Sequence, residues 1–140
     1  MPRPPFPHML PDDVPIWQAF LNGDHPPYTL IDYDVPVGAG RHPGPDFTPN
    51  IVDMAIQLSR RRIDAVGHLP DVIHIIEVTH TAGLRAIGQL HTYPQLYRQT
   101  YHPTLPLVPV LVAGVLQSDV AEAVIASGCL LYLTGPHRTA

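Results

Sequence analysis

Two acidic side chains stand on consecutive apolar runs, Asp64 in "RIDAV" and Glu77 in "IIEVT". Thr79 follows Glu77 by two residues, and Arg85 and Gln89 lie four apart in the next segment. Strand side chains alternate between faces, so Glu77 and Thr79 share a face with Ile73 and Ile75, while Asp64 shares one with Arg62 and Val66. If the two runs pair as a hairpin, the carboxylates meet. Carboxylates converging among apolar side chains repel unless a proton or a cation joins them. A hard divalent cation is the natural partner, because Mg²⁺ is held by one or two carboxylates together with water and phosphate. Residues four apart share a helix face, so Arg85 and Gln89 can be aimed at the same point to orient phosphate or water. Arg85 stays protonated, so it stabilises charge but cannot act as a base.

The surrounding elements must position these groups. Residues 1–11 carry five prolines and read as an extended arm, since each proline fixes φ and removes a donor. Such an arm gains order only by packing on its own domain or on a neighbouring subunit. "PDDVPIWQAFLNG" predicts a short helix with Asp12 or Asp13 as cap, Pro15 in the first turn and Gly23 as stop. Its apolar face is Ile16, Trp17 and Phe20. "YTLIDYDVPVG" alternates like a strand, and "AGRHPGPDFTPN" is a Gly/Pro loop. "TPNIVDMAIQLSRR" predicts a helix capped at Thr48, with Ile51, Met54 or Ala55, and Leu58 at helical spacing.

The hairpin "RRIDAVGH" and "DVIHIIEVT" follows, turning at Leu69-Pro70-Asp71. A helix from about Ala82 comes next, and Pro94 is expected to kink it or limit its first half. "LPLVPVLVAGVL" reads as a strand buried on both faces. "SDVAEAVIASG" is a helix with Ser118 or Asp119 as cap, and "CLLYLTG" a last strand. This order predicts one α/β sandwich domain over 12–140, with a central mixed sheet flanked by helices.

Composition narrows the chemistry. All eight cations are arginine, so no lysine is present to act as base, nucleophile or charge donor. The net charge of −4 gives a weak electrostatic footprint for nucleic acid, whose affinity comes largely from cations on phosphates. The Arg60-Arg61-Arg62 cluster can touch phosphate or simply solvate a strand edge. The single Cys129 excludes an internal disulfide and a cysteine zinc site. His74 and His80 are too far apart along a strand to share an ion, and the other histidines lack ligand spacing. No spanning helix and no signal peptide are expected, so the predicted location is intracellular or virion-associated.

"RIDAV", "IIEVT" and the helix "GLRAIGQLHTY" together resemble the PD-(D/E)XK, or restriction-endonuclease-like, nuclease superfamily over roughly residues 61–114. The resemblance implies that fold, an Mg²⁺ or Mn²⁺ held by Asp64 and Glu77, and a site completed by position 79, Arg85 and Gln89. The family carries lysine where this chain has Thr79, a departure that removes the charge thought to position the attacking water. The expectation from the sequence is therefore a catalytically degenerate nuclease-fold protein, an interaction or structural subunit of the kind found in a phage neck or tail, with no cofactor. It would bind other protein subunits through its arm and first helix, with homo-oligomerisation an open alternative and nucleic-acid binding weak or absent. The competing expectation is an active divalent-metal-dependent DNA nuclease. A plain α/β domain without that ancestry is the third.

Overall fold

Hydrophobic periodicity places most elements where the sequence predicts them. The computed structural model describes residues 6–134. Along them run α1 (Val14–Asn22), β1 (Leu30–Val37), α2 (Pro49–Ser59), β2 (Arg61–His68), β3 (Ile73–Ala82), α3 (Leu84–Tyr101), β4 (Leu107–Leu116), α4 (Ala121–Ala126) and β5 (Leu130–Leu133). The five strands form one mixed sheet in chain order, β1-β2-β3-β4-β5. β1, β2 and β3 pair antiparallel, and β3, β4 and β5 pair parallel. The chain is thus α/β, with helices against both faces of the sheet. Among the described residues, no helix is long and apolar enough to cross a membrane.

One face carries α1. Ile16, Trp17 and Phe20 lie against Ala65, Ile76, Val78, Val110 and Val112. Trp17 is fully buried, stacks on Phe20 and donates its indole N–H to the Tyr33 hydroxyl at 3.2 Å. The other face carries α3 and α4. Tyr93 and Tyr97 lie over Ile63, Val66, Ile73 and Ile75, while Ala86, Leu90 and Val124 lie over Leu111 and Ala113. β4, between β3 and β5, is buried on both faces along its middle, as its continuous apolar run implies.

Four departures from the sequence reading have physical causes. The first five residues of the expected arm lie outside the described range. Its remainder, Phe6–Pro11, is a series of turns closed by a Met9 N–H to Phe6 carbonyl bond, with Met9 buried against the α1 cluster. Burial of Met9 and the contact of Phe6 with Tyr33 reward folding back over extension. α3 continues through Pro94 to Tyr101, because Tyr93 and Tyr97 on either side of it are both anchored in the core. Asp13 sits at the N-terminus of α1 without capping it, since its carboxylate accepts instead from the His80 N–H at 2.8 Å. α2 forms as expected but buries no residue, and its Ile51, Met54 and Leu58 point to solvent, Leu58 at 77% exposure.

Candidate functional site

The site arises where two strands stop pairing. β2 and β3 are bonded from His68↔Ile73 only as far as Ala65↔Ile76. Beyond that rung, β2 continues along β1 alone and β3 along β4 alone. Asp64 and Glu77 occupy the next step, at the fork. The Asp64 carboxylate takes the place of the missing strand by accepting the Val78 N–H at 2.9 Å.

The fork also rolls the β1–β2 pair. Ala65 and Tyr33 belong to the α1 cluster, yet Ile63 and Val35, two residues away on each strand, belong to the α3 cluster. Between them stand Asp64 and Asp34, the latter with φ of +52°, left-handed backbone that a non-glycine residue rarely adopts. Simple alternation, which put Arg62, Asp64 and Val66 on one face, fails across this roll because the ladder that enforces it is interrupted.

A cleft of about 490 Å³ opens above the fork. Asp64, Glu77, Thr79, Arg85 and Gln89, all five residues singled out in the sequence, line it. The Thr79 hydroxyl donates to the Thr81 carbonyl at 3.2 Å, and Thr79 brings no charge. Arg85 and Gln89 reach the cleft from the first turns of α3. Sequence reasoning missed Arg60 and Arg62 on the β2 side and His8, Leu10 and Asp13 on the arm and α1 side. The Arg60-Arg61-Arg62 run was the available signal for the first pair. Nothing local announces His8, which arrives because the arm folds back.

Glu77 is 4% exposed and its Oε1 has no hydrogen-bond partner among the described residues. Burial holds its carboxyl well above the usual carboxylate range, and the charge of Asp64 pushes it the same way, with Arg85 opposing weakly. Burial also raises Asp64, against hydrogen bonds from the Val78 N–H and the Glu77 carboxyl. Burial and mutual repulsion thus both disfavour the doubly ionised pair.

An oxygen-only pair with an unsatisfied buried oxygen suits a hard divalent cation. Among the described residues, no three or more His, Cys, Asp and Glu side chains converge to hold a metal. The donors present therefore fit Mg²⁺ or Mn²⁺, which keep waters and take phosphate oxygens, and do not fit a closed zinc site or an all-protein calcium cage. His74, one of the histidines considered in the sequence, is buried on the opposite face and bonded through Nδ1 to the Tyr28 hydroxyl at 2.8 Å. Comparison of the chain with family models, curated proteins and solved structures gives no match.

Proposed function

We propose that this chain is a nuclease-like protein of restriction-endonuclease-like fold. Its cleft binds Mg²⁺ or Mn²⁺ on Asp64 and Glu77 and a nucleic-acid phosphodiester beside it, with turnover curtailed at Thr79. The observation that carries this reading is the buried, unpartnered Glu77 Oε1 next to Asp64. Were the fold kept for shape alone, a buried acid pair would be a poor choice. Replacing buried charge by apolar side chains of similar volume is often neutral or stabilising. A ligand that needs both carboxylates gives the costly arrangement a use.

When bound, the cation supplies Lewis-acid charge for a phosphoryl group. The protein's own residues do the rest. Asp64 is fixed by the Val78 N–H, so its second oxygen has one orientation. Glu77, raised by burial and then by the charge of Asp64, would ionise on holding the cation, its proton passing to solvent. Arg85 and Gln89 orient the phosphate, and Arg85 stabilises its charge, as guanidinium matches phosphate geometry. Thr79 contributes no cation, and removal of one such electrostatic group costs about 10²–10³ in rate.

The interaction-subunit reading, a fold kept for its shape in a larger assembly such as a virion neck or tail, keeps one specific support. The apolar stripe Ile51, Met54 and Leu58 on α2 is exposed, Met54 at 61%. Binding of a labelled single- or double-stranded oligonucleotide in Mn²⁺ and in EDTA separates the two. The expected result is tighter binding in Mn²⁺, lost in Asp64→Asn and in Glu77→Gln. Equal binding in both buffers leaves only the shape reading, and any cleavage that survives both substitutions comes from a contaminant.

A further inference from the structure

The six described arginines divide by how they are used. Arg60 is held by its own chain, donating from Nε to the Gly38 carbonyl at 2.9 Å and from Nη1 to the Gln57 side chain at 3.3 Å. Arg62 is tied to Asp34 at 3.4 Å. Arg41 and Arg98 line neither the cleft nor the hollow that continues it. Arg61 and Arg85 remain, both exposed and with no ionic or hydrogen-bonded side-chain partner among the described residues. Both line a hollow of about 230 Å³, completed by Gly88, Gln89, Thr92 and Tyr93. Arg85, Gln89 and Tyr93 also line the cleft, so the hollow continues it along α3.

We propose that this hollow is a second phosphate subsite, in which Arg61 and Arg85 clamp the phosphodiester next to the one at the acid pair. No carboxylate lines it, so it favours an anion and not a second cation. Two guanidinium forks offer the planar, paired donors that a phosphate accepts. Gln89 and Thr92 add neutral polar groups, and Gly88 leaves the mouth open, since a Cβ built there meets nothing within 4 Å. The occupant is therefore a polynucleotide backbone, which presents phosphates in series. The overall charge of −4 does not oppose this, because four of the six described arginines line the cleft or the hollow.

The subsite rests on the phosphodiester reading of the cleft, and its test separates the two. Binding of a fluorescein-labelled single-stranded oligonucleotide to the full chain is measured in EDTA across a salt series, for wild type, Arg61→Ala and Arg98→Ala. Loss of one phosphate contact is expected to weaken Arg61→Ala about three- to tenfold and to lower the salt slope by about 0.7. Arg98→Ala should bind as wild type. Wild-type affinity and slope in Arg61→Ala overturn the subsite, as does an equal loss in Arg98→Ala, which would mark general charge attraction. Inorganic phosphate at matched ionic strength provides the second arm. Failure to displace the oligonucleotide supports a backbone occupant, and displacement from wild type but not from Arg61→Ala overturns it in favour of a free anion. Because these measurements need no metal, the acid-pair reading fails separately, through Mn²⁺-tightened binding that survives Asp64→Asn and Glu77→Gln.

Discussion

Glu77→Gln is expected to stabilise the fold in mildly alkaline solution while abolishing the proposed cation site. The Glu77 carboxyl is buried, lacks a partner for Oε1, and is held above the usual range by burial and by Asp64. In the unfolded chain it ionises at about pH 4.3. The folded protein therefore retains a proton that the unfolded chain has released. Stability is full below that value and falls as pH rises through the raised folded value. Glutamine holds no such proton, and its amide can donate to the Asp64 carboxylate, so the fall disappears. An unsatisfied buried polar group costs about 1–3 kcal/mol. For a chain between the small and mid-sized domains, that corresponds to a gain in Tm of roughly 4–12 °C at high pH. Thermal unfolding followed by circular dichroism in EDTA, at about pH 4 and about pH 8, measures it. The variant should melt with wild type at the lower pH and well above it at the higher. A variant less stable than wild type at both, or a gap independent of pH, would refute the repulsive-pair reasoning.

Other perturbations reach different links of the same chain of cause. Thr79→Lys places an ammonium on the cleft wall near Glu77, and on the proposed nuclease reading Mn²⁺-dependent oligonucleotide cleavage should rise about 10²-fold on a gel assay; no gain would mean that the absence of a cation at position 79 is not what limits turnover. Asp64→Ala leaves the Val78 N–H without its acceptor and should lose about 1–3 kcal/mol in urea unfolding, while Asp64→Asn keeps the bond and most of the stability. Trp17→Ala empties the centre of the α1 face and removes the bond to Tyr33, so denaturant unfolding should show a loss of about 3–5 kcal/mol. A smaller loss would mean that α1 is only loosely docked.

The sequence carried the strands and the identity of the acid pair because both are local signals. Alternation marks β1, two β-rich runs joined by a turn mark β2 and β3, and the unbroken apolar run of β4 marks a strand covered on both faces. The spacing of Arg85 and Gln89 put both on the helix wall that faces the fork. What the sequence withheld is set by contacts between distant segments. The roll at Asp34 and Asp64 depends on where the β2–β3 ladder stops, which no window of either strand records. The reach of His8 into the cleft depends on Phe6 and Met9 finding the sheet. The use of Asp13 as an acceptor for the His80 N–H, in place of a cap, depends on the end of β3 passing over the start of α1. Net charge is blind to placement for a related reason: it sums over the surface, while Arg60, Arg61, Arg62 and Arg85 line the cleft or the hollow at one fork.

Calorimetric titration of the full chain with Mn²⁺ bears most directly on the claim that Asp64 and Glu77 form a cation site. One Mn²⁺ per chain is expected for wild type, with proton release as Glu77 gives up its proton, and no binding is expected for Glu77→Gln. Equal Mn²⁺ binding by wild type and Glu77→Gln would contradict it, as would no binding by wild type even with an oligonucleotide present.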